Sequence, residues 1–534
     1  MIRENSSKQM LLSEFDWPFQ NQLDAENRWV KLAGIIPWDA LSQAYHRNMN
    51  AGDGRPALKA RVVIGALIIK HKLVLSDRET IGQIQENPYM QYVIGMDSYS
   101  SEKVFDASLF VSIRRRMGQE VFDEFAQSIQ HELSQVKRRR TNVSVDNDSD
   151  EDPPSDTDTD TDGTDQSSEE PQHEELQGKL ILDATVADQA IRYPTDVSLL
   201  NEARELTEKI IDRLYQGTEL KRKPRTYRQK ARRDYLSFAK RRKLARKTIR
   251  KAIKQQLQYV RRNLSHINTL LEHYKPGEAL PLANWLLRRY WVIAHLYEQQ
   301  KQMFDEKVNR CDDRIVSIHQ PWVRPIMRGK QHKPTEFGSK INVSMDEDGL
   351  SRVDHFSWDA FNEGQDLKAQ VEAYTDRYGH YPEVVLADPI YGTRENRSYL
   401  KSKGIRYGGK PLGRPRKLSA ANAEQVKAQK KQQRGDYRQR IPIEGKFGQG
   451  KGGYRLNYIR AKRSDTSQAW VNSIFMVMNL LVLYGLFFWV FMRRTSTVNR
   501  LWIPTRLVQI KNTTLRYYFS GFRSWAAAGK CCSS

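Results

Sequence analysis

Lys179-Leu-Ile-Leu-Asp183-Ala-Thr-Val-Ala187 is a mainly apolar run with one carboxylate at its centre. A short run rich in Leu, Ile and Val reads as a strand buried on both faces. A lone carboxylate in such a strand is costly without compensation. A second strand-like run, Glu383-Val-Val-Leu-Ala-Asp388, ends in a carboxylate and is followed by Pro389. Paired in parallel, the two strands set Asp183 and Asp388 side by side at their C-terminal ends. A third acid lies in Tyr437-Arg-Gln-Arg-Ile-Pro-Ile-Glu-Gly-Lys-Phe-Gly-Gln-Gly-Lys451. There Tyr437, Arg440, Glu444 and Lys451 stand at helical offsets 0, 3, 7 and 14, which is one face.

Glu444 on a helix crossing the two strands completes an acidic cluster. Three converging carboxylates repel one another unless cations sit between them, which implies a hard divalent metal. Two such ions about 4 Å apart would activate a water or a 3′-hydroxyl and stabilise the leaving oxygen of an in-line displacement. Cations beside the acids suit phosphate binding. Plainer readings stand beside this one. Asp388 also fits a turn before proline, and Glu444 fits an ordinary helix pair with Arg440. Asp188 and Asp196 lie outside the apolar core of the first strand, and capping accounts for Asp359 and Glu363.

At 534 residues the chain has room for two or three domains. Lys and Arg number 87 against 64 Asp and Glu, a net charge of +23, which points to a polyanionic partner, nucleic acid before membrane. Cys311, Cys531 and Cys532 show neither a disulfide framework nor zinc spacing, so a reducing cytosol is expected. The N-terminus shows no apolar signal core. Ala469 to Met492 is long and apolar enough to span a bilayer, yet Trp470, Ile474, Met478 and Leu481 form a helical stripe suited to a buried helix. The buried reading is the expectation, and no membrane partner is foreseen.

Residues 1–140 read as helical, with an apolar run from Val62 to Leu73, a capping box at Ser76 and Glu79, a stop at Asn87-Pro88, and a basic helix carrying Arg114, Arg115 and Arg116. This suits either a helix-turn-helix DNA reader or a bundle for dimer contact. Residues 141–178 form an acidic tract expected to be a disordered linker. Residues 198–312 read as a basic helical insertion, in which Tyr227, Tyr235 and Phe238 interleave with cations such as Lys240, Arg241 and Arg242; this suits phosphate tracking. Strands are expected at Ile315–Ile318, Phe337–Ser344 and Ser351–Trp358, the last two joined by the turn Asp346-Glu-Asp-Gly349. A polar helix from Ala420 to Arg434 and a separate helix bearing Glu444 follow. Residues 486–534 form a tail without a recognised pattern.

The three acidic contexts in this order, with Gly54-Arg-Pro and Glu86-Asn-Pro-Tyr upstream, resemble the DDE-class insertion-sequence transposases of the IS4/IS5 superfamily, the IS5-like group in particular. The resemblance implies an α/β fold: an RNase H-like catalytic core over 179–485 with a large helical insertion, preceded by an all-α domain that binds DNA or dimerises. It implies Asp183, Asp388 and Glu444 as catalytic metal ligands for two Mg²⁺ ions, with Mn²⁺ able to substitute. Tyr437, Arg440, Lys451, Lys446 and Arg394, with Lys240, Arg241 and Arg242, are the expected DNA or phosphate contacts. Further implications are double-stranded DNA partners (element ends and target), a homodimer in the synaptic complex, and a bacterial cytoplasmic, nucleoid-associated location. The activity implied is strand cleavage followed by strand transfer; a catalytically inactive or regulatory DNA-binding relic is the alternative.

Overall fold

A computed structural model describes residues 14–15, 22–47, 49, 57–145, 176–275, 277, 279–327, 335–413 and 422–499. Seven helices come first: α1 (Arg28–Ile35), α2 (Trp38–His46), α3 (Ala60–Leu73), α4 (Asp77–Glu86), α5 (Pro88–Val93), α6 (Leu109–Arg116) and α7 (Gln119–Val145). Strand β1 (Lys179–Asp188) leads into four helices, α8 (Asp196–Gln216), α9 (Arg228–Ala239), α10 (Arg246–Leu271) and α11 (Asn284–Glu306). Strands β2 (Arg324–Met327), β3 (Thr335–Met345) and β4 (Ser351–Ser357) follow, then α12 (Leu367–Tyr378), β5 (Val384–Ala387), α13 (Arg394–Ser402) and β6 (Arg406–Tyr407). The described residues end with α14 (Ala423–Gly453) and α15 (Ser464–Asn499).

The fold is therefore mixed α/β, with a helical N-terminal region and one six-stranded sheet. The strand order is β2-β3-β1-β5-β6, with β4 also paired to β3. β1 runs antiparallel to β3 and parallel to β5, and β5 runs parallel to β6. Side chains alternate across the sheet. Leu180, Leu182, Val385 and Ala387 face α12 and α13, where Leu367, Val371 and Leu400 cover them. Ile181, Ala187, Val343, Val384 and Leu386 face α14 and α15 and pack on Ile443, Phe447, Val471 and Ile474. Helices thus cover both faces, which is why β5 is wholly apolar and β1 carries apolar residues on both sides.

Several sequence expectations take a different form. Residues 315–318 form no strand; Ile315 and Ile318 instead pack into the α8–α10–α11 bundle. The two helices expected around residues 420–451 are one helix, α14, which continues through Pro442. Pro442 lies on the solvent side, where water can serve the carbonyl that its missing N–H leaves free. α7 runs into the stretch expected as linker. Residues 146–175, Gly54, residues 414–420, Cys531, Cys532 and the tail from residue 500 lie outside the described residues.

α15 joins the two halves. Ala469, Met476, Val477, Leu480 and Leu483 belong to the N-terminal helical core, while Val471, Ile474, Phe475 and Met478 cover the sheet. Its amides are used rather than merely tolerated. Asn479 accepts from Ser351 N at 3.0 Å and donates to Ser351 O at 2.8 Å, and Asn472 donates to Gln119 at 2.8 Å. The stretch Ser464–Phe487 is long and apolar enough to cross a membrane, with a mean hydropathy of 1.7, but 67% of its most apolar window is buried inside the protein. Packing of α15 within the chain thus accounts for most of that apolar surface.

Of the three arginines expected as a basic face on α6, Arg114 is spent on packing. Arg114 is buried, pairs with both oxygens of Asp77 at 3.0 and 2.7 Å, and lies 5.0 Å from the Trp470 ring centroid. Lys70, also buried, pairs with Asp77 at 3.0 Å and stands 4.3 Å from the same ring. Burial pulls the Lys70 ammonium down to about 8 against the pull of Asp77. Arg115 pairs with Asp465. Arg115 and Arg116 remain exposed on the other side of α6. Asp77→Ala strands two buried cations, so a loss of about 3 kcal/mol is expected, read as a lower unfolding midpoint. A midpoint equal to the parent's would show that the two cations find other partners.

Candidate active site

The parallel register Leu182↔Ala387 carries on by one residue to place Asp183 next to Asp388. Both lie on the α14 face, by the alternation that puts Ile181 and Leu386 there. β5 ends at Ala387, so Asp388 is at a strand end as expected. Asp183 is not, because β1 continues to Asp188 along β3. α14 crosses this face with Ile443 and Phe447 against the sheet, which sets Arg440 and Glu444 beside the two aspartates.

Arg440 occupies the centre. Its Nη1 lies 2.8 Å from Asp388 Oδ1 and 3.5 Å from Asp183 Oδ2, and its Nη2 donates to Glu444 Oε1 at 2.5 Å. Arg440 is only 9% exposed. Nη1 is buried and makes no hydrogen bond, because the Asp388 contact lies off the hydrogen-bond axis. Asp183 accepts one backbone hydrogen bond, from Ala184 N at 2.8 Å. Burial first, and the Asp388 carboxylate second, push the Asp183 carboxyl up to about 6, against the pull of Ala184 N–H and Arg440.

Other side chains hold this arrangement in place. Arg406 pairs with both oxygens of Asp436 at 2.7 and 3.1 Å, fastening α14 to the sheet edge. Tyr407 donates to Asp388 O at 2.9 Å. On the opposite face, Tyr391 donates to Asn342 Oδ1 at 2.5 Å, Asn342 donates to Asp366 at 2.9 Å, and His355 stands 2.8 Å from the same Asp366 oxygen. None of these supports was singled out in the sequence. Tyr391 and Asp436 could have been, since each lies within a few residues of an expected acid or phosphate contact.

The remaining expected contacts scatter. Tyr437 is exposed, with its ring 5.8 Å from the Arg440 guanidinium. Lys451 shares the Arg440 face but lies farther along α14, 3.9 Å from Glu336 on β3. Arg394 is exposed at the first residue of α13, and Lys240, Arg241 and Arg242 are exposed between α9 and α10. Lys446 requires correction as a surface phosphate contact. It is buried and donates to Gly349 O at 2.9 Å, and burial pulls its ammonium down to about 8. A residue two positions from Glu444 points to the opposite side of a helix.

Among the described residues, no three carboxylate, imidazole or thiol groups stand close enough to hold one metal ion as placed. The guanidinium spaces the acids apart. The donor set nonetheless suits a hard cation: three carboxylates converge on one positive group, whose buried Nη1 gains no hydrogen bond there. For Asp183 the pH dependence has a definite sign. Its folded-state value lies above the ordinary 3.8, so its contribution to stability is complete below about pH 4 and is lost as pH rises to about 6. The ionised acid then costs on the order of 3 kcal/mol. Asp183→Asn should therefore raise the unfolding midpoint at pH 7.5 in metal-free buffer and leave it unchanged at pH 4. Equal shifts at both values would refute the assignment.

Residues 17–116 match the family described as Transposase domain (DUF772), and residues 385–481 match the family described as Transposase DDE domain. The second match takes in Asp388, Arg440 and Glu444; Asp183 lies before it. An uncharacterised protein, ORF8 of the nfe locus of Rhizobium meliloti, is 34% identical over 110 residues, which are 20% of this chain and 53% of that protein. The chain thus spans about half the length of the curated relative it matches. No solved structure matches the chain significantly. A match to a DUF772 transposase domain followed by one to a DDE domain indicates a DDE-type insertion-sequence transposase of the IS5/IS4-like families.

Proposed function

We propose that this protein is a DNA transposase that binds the terminal inverted repeats of its element and carries out metal-dependent strand cleavage and strand transfer on an RNase H-like core. The observation that carries the reading is the convergence of Asp183, Asp388 and Glu444, from two strands and a helix, on one cationic centre. The sheet order, with β1 antiparallel to β3 and parallel to β5, is compatible with that core.

In this reading Asp183, Asp388 and Glu444 hold divalent metal, with two Mg²⁺ ions as the native complement and Mn²⁺ as a substitute. Metal bound there would supply Lewis-acid stabilisation of the phosphodiester and a more acidic attacking water or 3′-hydroxyl. Arg440, relieved of the acids it now pairs with, turns its planar fork to a phosphate beside the cleavage point. Tyr437, exposed one turn away, positions the strand. Lys451 and Arg394 extend the cationic surface, and Lys240, Arg241 and Arg242 follow the backbone of the bound duplex. The low exposure of Asp183 keeps it oriented by its own backbone while Asp388 and Glu444 remain reachable from solvent. Synapsis of two element ends would use a homodimer.

The protein with Mg²⁺ should nick DNA carrying its element's ends. Asp183→Asn should abolish cleavage while leaving salt-sensitive binding intact; cleavage at the parental rate would remove Asp183 from the site. Replacing Lys240, Arg241 and Arg242 together with alanine should flatten the slope of log affinity against log salt by roughly 3. An unchanged slope would take these cations off the DNA.

A further inference from the structure

Away from the acids, a cleft of about 630 Å³ opens where β1 passes into α8, beside the first turns of α11 and the α14–α15 connection. Three cations line it: Arg192, Arg289 and Lys462. Among the described residues none of the three has a carboxylate at ion-pair distance; Arg192 instead donates to Tyr235 at 3.5 Å and Arg289 lies 4.5 Å over the Trp285 ring. The one lining carboxylate, Glu202, is 2.8 Å from His319. Three cations against one carboxylate leave the cleft with an excess of positive charge, although burial and Arg289 hold the His319 imidazole below its usual range. At its rim stands Tyr193, 69% exposed, edge-on to Phe337 at 5.5 Å.

Cations with an exposed aromatic are the parts of a single-strand binding site, in which phosphates meet the charges and a base stacks on the ring. The volume lies in the range of sites that enclose a small organic ligand, about 300–1,000 Å³. That admits a nucleotide or two and excludes a base-paired duplex. The location links the cleft to the acids. α14 carries the Arg440 face toward Lys451, about 16 Å along at about 1.5 Å per residue, and Lys462 follows beyond the helix end. The cleft therefore meets a strand several nucleotides from the acids.

We propose that this cleft seats an unpaired stretch of the DNA strand whose cleavage point lies at Asp183, Asp388 and Glu444. The proposal rests on the transposase reading above and adds to it a single-strand site. It is tested by fluorescence anisotropy of the full chain with an oligothymidine single strand and, separately, a mixed-sequence duplex of equal length, across a salt series. Arg192→Ala, Arg289→Ala and Lys462→Ala combined should flatten the single-strand salt slope by about 2 and leave the duplex slope unchanged. Tyr193→Ala should weaken single-strand binding about tenfold, and Tyr193→Trp should retain it. Unfolding midpoints equal to the parent's confirm that the variants are folded. Parental single-strand binding by the triple variant and by Tyr193→Ala overturns the proposal, as does an equal loss on both probes, which would mark an unselective basic surface. A parent protein that binds neither probe would instead overturn the DNA-binding reading itself.

Discussion

One buried guanidinium among three carboxylates organises the centre of this molecule. Without a cation, Asp183 would be a charge inside an apolar sheet face, facing a second acid at the next strand. Arg440 answers both and draws Glu444 in from its own helix. The match is incomplete, since the Asp388 contact at Nη1 is off-axis and that nitrogen is buried without a hydrogen bond. A group that balances charge yet leaves hydrogen-bonding capacity unused is suited to exchange. In the proposed reading it holds the acids when they are otherwise uncompensated and moves to a phosphate when a metal takes its place.

The rest of the fold makes that meeting possible. Two helices on each face of the sheet bury β1 and β5, and the Arg406–Asp436 pair holds α14 at the sheet edge. α15 then ties the sheet to the N-terminal helices, with Trp470 lying against Lys70 and Arg114. The chain's large positive charge is therefore not all surface. Lys70, Arg114 and Lys446 are buried in packing, whereas Lys240, Arg241 and Arg242 of the helical insertion are exposed.

Much of this was legible along the chain. The apolar run around Asp183 forms its strand, the run ending at Asp388 forms another, and the Ser76–Glu79 capping box closes as its spacing requires. The helical offsets of Tyr437, Arg440, Glu444 and Lys451 do put them on one face, although only Arg440 and Glu444 reach the acids. Other features were not legible. The apolar residues 315–318 have the composition of a strand, but their burial is satisfied by helices, so no ladder forms. The polar stretch to Arg434 and the helix bearing Glu444 read as two helices, yet they form one, α14, with Ile443 and Phe447 packed on the sheet. Lys446 is a different case: its offset from Glu444 already turned it inward, and its position in the motif obscured that.

The sequence by itself determined which acids stand in strand and helix contexts, which residues share a helix face, and that the chain is built to meet a polyanion. These are local properties, set by side-chain periodicity and composition. Only the tertiary structure decided that the three acids close on Arg440, that Lys446 and Arg114 are interior, and that Arg192, Arg289 and Lys462 share a cleft with Tyr193. Those outcomes depend on strand register and helix packing between residues hundreds of positions apart, and no periodicity within one segment encodes them.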